Sequence, residues 1–363
     1  MRLSIDGSSL AFPPSGIRTY VSALIREMES ADQDIELSVL QPSGQSRPLP
    51  ERASRFWWDA RGVASAAHHA RAGVLHVPQF SAPIRNPAPL VVTIHDLIPL
   101  MHREYRQSRS MRAYLSVMRR TVAKAGIIIV PSRYVAHQAP TVMDIDVKRV
   151  RVIPMAAGPE FSPADHPKVQ PAILSALGIR GPYIFNIAGF DVRKNLPCLL
   201  QAFATFRNWS PGPYQLVIAG APHTANPTVF PPVRPVVERL ALAEHVIMPG
   251  LISEQAKIAL YQHAAMYVTP SLSEGFGMTC LEAMSCGTPV IAANCTALPE
   301  VVGGGGLLVE PEPSVLAEAM TAVAQEDTIA AQLRRSGIAQ AARYSWGRTA
   351  SMTIDAYRDA LDG

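Results

Sequence analysis

The sequence has few cysteines and no apolar run long enough to cross a membrane. Its 363 residues include four cysteines, none of them in a CxxC pair, so we expect a protein that folds without disulfides in a reducing cytoplasm. A spanning helix needs roughly 20 apolar residues, and no stretch approaches that length. The opening residues MRLSIDG resemble a first strand and not a secretory leader. Any membrane contact is therefore expected to be peripheral.

Several motifs for nucleotides and metals are also missing. No GxGxxG motif follows the first strand, which argues against a redox dinucleotide enzyme. The glycine run 303–306 lacks the lysine and the serine or threonine of a P-loop, so we interpret it as a turn after a helix near 299–302. His68 and His69 have no cysteine or paired carboxylate at ligand spacing. We therefore expect no redox dinucleotide cofactor, no P-loop and no metal at His68 and His69.

Strand-like and helix-like segments alternate along the chain. The composition, 48% hydrophobic and 17% charged, is sufficient for two domains with their own cores. In the first half, the predicted strands are 2–6, 35–40, 74–77, 90–94 and 127–130, and the predicted helices lie near 16–30, 61–72, 109–125 and 132–140. This alternation predicts an α/β fold with mostly parallel sheets that are covered on both faces.

A polar, proline-rich segment, 162–171, separates two such series, and the second series of strands begins at Tyr183. We therefore predict a Rossmann-like domain over 1–165 and another over 172–345, each doubly wound. Ligands of such sheets bind outside the carboxyl ends of the strands. Two domains that face each other are expected to form a deep cleft.

Positive charge is concentrated in the first half. Residues 1–165 contain 20 arginines and lysines against 14 aspartates and glutamates, and the remaining residues contain 13 against 15. Much of the excess lies in 103–124, where Glu104 is the single acid and apolar residues recur at helical spacing. This basic amphipathic helix is either a solvated face of its domain or a surface for anionic lipid or a lipid-linked pyrophosphate acceptor. Nucleic acid fits less well, because no recognition motif and few aromatics accompany the charge.

The stretch 268–311 is the most informative part of the chain, because it places two carboxylates around a strand-to-helix turn. Apolar residues 266–268 predict a buried strand, and 278–285 predict a helix that ends at Gly287. Glu274 then lies in the turn and Glu282 about a turn and a half inside the helix. Free N–H groups at a helix start bind anions, and carboxylates accept hydrogen bonds from sugar hydroxyls. The stretch therefore predicts a site for a sugar nucleotide.

This stretch resembles the Glu-x7-Glu signature of retaining glycosyltransferases with the GT-B fold, family 4 in the usual sequence classification. The same order of motifs continues around it: FNIAGFDVRKNLPCLLQAF (185–203), YQLVIAGAP (214–222), VIMPGLIS (246–253) and YSWGRTASMTIDAYRDAL (344–361). In the first half the resemblance rests on SGIRTYVSALIREM (15–28), VVTIHDLIPL (91–100), VPSRYVAHQ (130–138) and VRVIPMAAGPEF (150–161). The resemblance implies that the last helix, within 346–363, crosses back to the first domain.

The resemblance also assigns roles in the second half. Arg193 and Lys194 correspond to the basic pair that grips the donor diphosphate, although exposed charges at a helix start are the alternative. Glu274 matches the residue that contacts the transferred sugar, and Glu282 matches the one that binds the ribose hydroxyls, an ordinary surface acid being the alternative. Residues Gly275, Phe276 and Gly277 would offer backbone donors to sugar and phosphate, and Gly250 and Leu251 would frame the nucleobase.

In the first half, the resemblance places His95, after the strand 90–94, near the donor sugar; a capped or core histidine is the alternative. Gly16 resembles the glycine loop that lets the backbone approach donor phosphate and acceptor, with PPSG in place of a double glycine. The family implies retention of configuration by front-side attack, without a committed protein nucleophile and without a metal. Glu274 and Glu282 are not a glycosidase pair, because one of them is used for ribose.

The function that this resemblance implies is transfer of a hexose from a nucleotide sugar to a glycan or a lipid-linked oligosaccharide, at the cytoplasmic face of the membrane, in cell-surface polysaccharide synthesis. GDP-mannose is the first candidate donor, because GFDVRKN and HDLIPL resemble bacterial polysaccharide mannosyl- and rhamnosyltransferases. Two alternatives are a nucleotide-sugar epimerase on the same fold and a non-catalytic sugar-nucleotide-binding protein. The non-catalytic alternative is disfavoured because Glu274, Arg193, Lys194 and Glu282 are all present. No nucleic-acid partner is expected.

Overall fold

The structure is a computed structural model, which describes residues 1–11, 15–31, 35–42, 51–164, 172–210, 212–220 and 226–362. The chain divides into two compact units, Met1–Met155 together with Ser345–Gly363, and Ala156–Tyr344. Most of the predicted proline-rich boundary, 165–171, lies outside the described residues. Each unit contains one six-stranded parallel sheet, and the predicted α/β class is confirmed.

The sheet of the first unit has the order β2-β1-β3-β4-β5-β6. Its strands are β1 (Arg2–Asp6), β2 (Glu36–Leu40), β3 (Val74–Val77), β4 (Leu90–Thr93), β5 (Ile127–Val130) and β6 (Val150–Val152). The middle strands β3, β4 and β5 are buried along their whole length, as apolar parallel strands are when helices cover both faces. The chain order reverses between β1 and β3, so this unit has its own switch point for ligands.

The helices of the first unit are α1 (Gly16–Ala31), α2 (Glu51–Trp57), α3 (Val63–His69), α4 (Ile98–Met101), α5 (Arg109–Val122) and α6 (Arg133–Met143). A π-helical turn, Trp58–Gly62, joins α2 to α3. The helix that was predicted near 61–72 is therefore the end of a helical run that begins before residue 61 and ends at His69. Ser108 and Ser132 cap α5 and α6, and each side chain accepts a backbone N–H three residues ahead.

The sheet of the second unit has the order β12-β11-β10-β7-β8-β9, which reverses between β7 and β10. The strands are β7 (Tyr183–Ile187), β8 (Gln215–Ala219), β9 (Val246–Gly250), β10 (Met266–Thr269), β11 (Val290–Ala293) and β12 (Leu307–Val309). The helices are α7 (Ala172–Ala176), α8 (Leu196–Trp209), α9 (Arg234–Arg239), α10 (Glu254–His263), α11 (Met278–Ser285), α12 (Leu298–Val302), α13 (Pro313–Gln325) and α14 (Asp327–Ala341).

The last helix, α15 (Trp346–Asp362), belongs to the first unit, where it contacts α1 and the strands β3, β4 and β5. Its buried Tyr357 shares a hydrogen bond with His76 Nδ1 at 2.7 Å. Thr349 donates from its hydroxyl to the carbonyl of Pro154 at 2.7 Å. These bonds connect the end of the chain to the sheet of the first unit.

The glycine run is a turn, as predicted. Residues Gly303–Gly305 form a 3-10 turn directly after α12. A Cβ atom on Gly305 would lie 2.7 Å from Gln340 Cβ and 2.8 Å from Met284 Sδ. Glycine is therefore required here by the close approach of α14, and the run serves packing within the second unit.

Candidate active site

The candidate site of the second unit lies at the carboxyl edge of its sheet, beside the switch point. The loop after β7 carries Arg193 and Lys194, and the loop after β10, the neighbouring strand, carries Glu274. The carboxyl ends of adjacent parallel strands open on the same edge, and ligands of doubly wound sheets bind there. Two loops that are 80 residues apart in sequence are thereby brought together.

Glu274 binds both predicted cations. Lys194 Nζ lies 2.5 Å from Glu274 Oε1, and Arg193 Nη1 lies 3.1 Å from Oε2. The three side chains are largely buried, with 12–21% of their surface exposed. Burial by itself would raise the pKa of Glu274, but the charges of Lys194 and Arg193 outweigh it and hold that pKa below its usual value. Glu274 is therefore an ionised carboxylate with both oxygens engaged.

Asp191 orients the arginine, a role that the sequence analysis did not assign. Its carboxylate accepts a hydrogen bond from the backbone N–H of Arg193 and forms an ion pair with the guanidinium at 3.1 Å. Asp191 precedes the 3-10 turn Val192–Lys194, where a capping aspartate is a common signal. That capping signal was available in the sequence.

The Glu274 loop is fastened at several points of its backbone. The N–H of Leu272 donates to the carbonyl of Arg193 at 2.7 Å, and the Arg193 guanidinium donates to the carbonyl of Ser273 at 3.2 Å. The N–H of Glu274 donates to the hydroxyl of Thr296 at 3.0 Å. Thr296 follows β11, the next strand of the sheet, and no sequence pattern pointed to it.

Glu282 is a buried residue on α11, with 5% of its surface exposed, and not a surface acid. Lys257 donates to its Oε1 at 2.9 Å, and the hydroxyl of Tyr261 donates to its Oε2 at 3.0 Å. Burial raises the pKa of Glu282, although Lys257 and both hydrogen bonds oppose that shift. Lys257 and Tyr261 are four residues apart and lie on one face of α10, whose start is capped by Ser253.

The turn into α11 requires glycine at one position. Gly277 has φ +115°, and a Cβ atom there would lie 2.8 Å from Leu298 Cδ2. The neighbouring Phe276 is buried and contacts the Tyr344 ring at 5.9 Å between centroids. The start of α11, preceded by Gly275, Phe276 and Gly277, therefore lies directly after the Glu274 loop, with backbone N–H groups at its first turn.

The residues predicted for the nucleobase lie at the same edge of the sheet. Gly250 ends β9 with φ +76°, and Leu251 follows with 79% of its surface exposed. An exposed leucine next to a glycine at a carboxyl strand end is available to a planar ring. Both roles remain predictions.

In the first unit, His95 follows β4 at the carboxyl edge of the sheet. Its Nε2 lies 3.1 Å from the carbonyl oxygen of Pro78, so Nε2 carries the proton and Nδ1 is the acceptor atom of the neutral ring. Burial lowers the pKa of His95 to about 4, although the hydrogen bond to the Pro78 carbonyl acts in the opposite direction. The ring also makes an edge contact with Tyr20 at 4.9 Å between centroids. His95 is thus a neutral hydrogen-bond acceptor at pH 7.

Gly16 is the first residue of α1, and a Cβ atom there would meet no atom of the described residues within 4 Å. Among these residues, nothing sterically requires glycine at this position. Residues 12–14, which precede it, lie outside the described residues. The role of Gly16 toward phosphate and acceptor stays a prediction.

Two observations concern metals and membranes. Within the described ranges, no group of three or more histidine, cysteine, aspartate or glutamate side chains could hold a metal ion. Among the helices that the structure describes, none combines the length and apolarity that spanning a membrane requires.

Comparisons with known proteins concern the family and the fold. Residues 14–160 match the family model described as Glycosyltransferase Family 4, and residues 175–341 match the one described as Glycosyl transferases group 1. The serotype-specific mannosyltransferase WbdA of Escherichia coli is 28% identical over 276 residues, which cover 75% of this chain and 33% of WbdA. The chain thus spans about a third of the length of WbdA.

The O-antigen chain mannosyltransferase B of Escherichia coli is 27% identical over 286 residues, which cover 78% of this chain and 74% of that protein. Among solved structures, Anabaena Alr3699/HepE in complex with UDP-glucose has a TM-score of 0.73 and 18% sequence identity, and the match covers 98% of both chains. This structural likeness shows that the fold is shared and says nothing about the substrate of this chain.

Proposed function

Since this chain belongs to the glycosyltransferases of group 1 and family 4, which have the GT-B fold, we propose that it transfers a hexose from a nucleotide sugar to a glycan or a lipid-linked oligosaccharide. The proposal includes retention of the anomeric configuration, no requirement for metal, and a place in cell-surface polysaccharide synthesis on the cytoplasmic side of the membrane. GDP-mannose is the first candidate donor, because two relatives are named mannosyltransferases.

The observation that carries the proposal is the pairing of Arg193 and Lys194 with Glu274. A departing nucleoside diphosphate gains negative charge, which preorganised cations and helix N-termini can stabilise. The two cations contact the loop that leads into α11, beside the switch point, and we expect a diphosphate to lie there. Glu274, whose ionised carboxylate pairs with both cations, would then contact the sugar that this diphosphate carries.

In the proposed reaction, the acceptor hydroxyl attacks the anomeric carbon from the side on which the diphosphate leaves. The bond between that carbon and the diphosphate oxygen breaks, and the departing diphosphate accepts the proton of the hydroxyl. Glu274 would position the sugar by accepting hydrogen bonds from its hydroxyls. Its role as a nucleophile is disfavoured because Lys194 and Arg193 engage both of its oxygens. His95 would accept a hydrogen bond from the sugar through Nδ1, a role that its neutral form suits.

The nucleotide end of the donor is assigned to Glu282, and we expect Glu282→Ala to weaken donor binding. A carboxylate that accepts ribose hydroxyls contributes about 1.5–3 kcal/mol. The measurement is a thermal-shift screen with GDP, UDP, dTDP and ADP sugars, in which a ligand at 100 times its dissociation constant stabilises wild type by about 2.7 kcal/mol. The donor that shifts wild type should shift the variant much less.

Glu282 is buried and paired with Lys257, so the variant is also expected to melt earlier without ligand. The ligand-induced shift is therefore measured from each variant's own melting temperature. Tyr261→Phe serves as the control, because it removes a hydrogen bond to Glu282 and leaves the carboxylate in place. If Glu282→Ala binds the donor as tightly as wild type does, Glu282 does not bind the ribose. Epimerised sugar nucleotide formed without acceptor would favour the epimerase.

The proposed membrane contact involves α5 and its surroundings. Arg109, Arg112, Arg119 and Arg120 are exposed on this helix, whereas Leu115 and Met118 are buried. Three apolar side chains nearby in sequence or space are unusually exposed: Phe56 at 39%, Trp57 at 44% and Met111 at 41%. The Phe56 ring contacts Tyr114 of α5 at 6.1 Å between centroids. Exposed aromatics beside basic residues suit the interface of an anionic membrane.

We expect wild type to sediment with anionic vesicles and not with neutral ones, and more weakly at high salt. Each basic residue near such a surface contributes about 1 kcal/mol, and salt screens this attraction over about 10 Å at 0.1 M. The variant with Arg109, Arg112, Arg119 and Arg120 all changed to Gln should therefore lose about 100-fold or more in vesicle affinity.

The matched control changes four exposed arginines of other helices, Arg234, Arg239, Arg335 and Arg348, to Gln. It removes the same charge and should bind vesicles almost as wild type does. Equal losses in both variants would indicate a net-charge effect and not a docking face. If wild type does not bind anionic vesicles, α5 is only a solvated face and a soluble acceptor becomes the better hypothesis.

A further inference from the structure

Five described residues other than glycine have a positive φ: Arg71, Asp144, Asn195, Ala241 and Thr296. Three of them, Arg71, Asp144 and Ala241, lie at helix C-termini, where the left-handed conformation is common. Asn195 tolerates this conformation because of its short polar side chain. Thr296, at φ +54°, is the β-branched member of the set, and a β-branched residue in this region is strained.

The position of Thr296 connects this strain to the candidate site. It lies in the connection between β11 and α12, at the carboxyl edge of the sheet. Its hydroxyl accepts the backbone N–H of Glu274 at 3.0 Å. The preceding residue, Cys295, donates from its thiol to the carbonyl of Ser271 at 3.1 Å. This short connection therefore holds the Glu274 loop at two backbone atoms.

Glycine would adopt the same backbone conformation without strain, but it has no hydroxyl to offer Glu274. Strained backbone persists where the surrounding structure holds it, and it is concentrated at functional sites. The carboxylate of Glu274 is fixed by Lys194 and Arg193, and its backbone is fixed by Thr296. Together these contacts determine both the direction of the side chain and the point from which it projects.

From this geometry we propose that Thr296 is a positioning residue, whose hydroxyl holds Glu274 in place for the transferred sugar. The inference rests on the proposed role of Glu274. The strain at Thr296 is the cost of placing a hydroxyl where a glycine would otherwise be preferred. Removing the hydroxyl should therefore impair the site without impairing the fold.

The test compares three variants. Thr296→Ser retains the hydroxyl, Thr296→Val retains the branched shape without the hydroxyl, and Thr296→Gly removes both the hydroxyl and the strain. We expect backbone amides of the 271–277 peptide to exchange hydrogen for deuterium faster in the Val and Gly variants and at the wild-type rate in the Ser variant. The melting temperature of Thr296→Gly should equal or exceed that of wild type.

In sugar transfer, the Val and Gly variants should lose about tenfold in kcat, as the loss of one hydrogen bond predicts, with an unchanged KM for the donor. Thr296→Ser should retain wild-type turnover. Unchanged exchange in Thr296→Val, or a Ser variant that behaves like the Val variant, would overturn the positioning role. A Gly variant that melts well below wild type would show that Thr296 serves the fold. If wild type transfers no sugar, the proposed function fails, while the exchange rates still decide the role of Thr296.

Discussion

Lys194→Ala is expected to lower the turnover number of sugar transfer by about 100-fold or more, and Arg193→Ala should have an effect of the same order. Both residues would stabilise the negative charge of the departing diphosphate, and that charge is greatest in the transition state. The loss should therefore appear in kcat more than in the KM for the donor. The measurement is steady-state kinetics with the donor that the thermal-shift screen identifies.

Lys148→Met is the control for a general effect of lost positive charge, because Lys148 is an exposed lysine of the first unit. It should leave kcat unchanged. Wild-type activity should also survive EDTA, and magnesium should not restore Lys194→Ala. Abolition of wild-type activity by EDTA, or rescue of the variant by magnesium, would mean that a metal ion supplies the charge that we assign to these side chains.

Glu274→Gln should lower kcat by about 10- to 100-fold, since it replaces a charged acceptor of sugar hydroxyls by a neutral one of the same size. The ion pairs of Glu274 add an expectation about nucleotide affinity. Glu274 pairs with both Lys194 and Arg193. The neutral amide no longer competes with phosphate for these cations, so the free nucleoside diphosphate should bind as tightly as to wild type or more tightly.

Calorimetry with the nucleoside diphosphate and kinetics with the sugar nucleotide separate the two effects. Glu238→Gln, a change of the same type at an exposed position of α9, is the control and should alter neither quantity. If Glu274→Gln loses sugar transfer and nucleoside diphosphate affinity equally, Glu274 does not belong to the sugar pocket. Its position between the cations would then serve only to orient them.

The regular part of the fold was accessible from the sequence, because its signals are local. The run IIIV at 127–130 is a buried strand, as predicted, and Gly287, which was predicted to end α11, follows that helix with a left-handed φ of +72°. The boundaries were less accessible: the helix predicted near 61–72 is α3 preceded by a π-helical turn. Short apolar and alanine-rich segments carry little information about where a helix begins.

Some members of the candidate site were predicted from the sequence, but Asp191 and Thr296 were missed, and so were all of the bonds between the residues. The resemblance identified Arg193, Lys194, Glu274 and Glu282, because they lie in motifs that follow one another in the order typical of the family. It did not indicate that Glu274 forms ion pairs with both cations, that Lys257 and Tyr261 each donate a hydrogen bond to Glu282, or that His95 has its proton on Nε2. Each of these facts depends on atoms from different loops that approach to about 3 Å, the usual length of a hydrogen bond.

The sequence by itself determined which residues form strands and helices, and which polar residues follow the strands, because hydrophobic periodicity and capping act within a few residues. Only the tertiary structure decided which loops are neighbours. The pairing of β7 with β10, and of β10 with β11, brings Arg193, Glu274 and Thr296 together from positions up to 103 residues apart. Parallel strands are paired through long crossovers, so their order in the sheet follows from how the helices pack on its two faces and not from any adjacent residues.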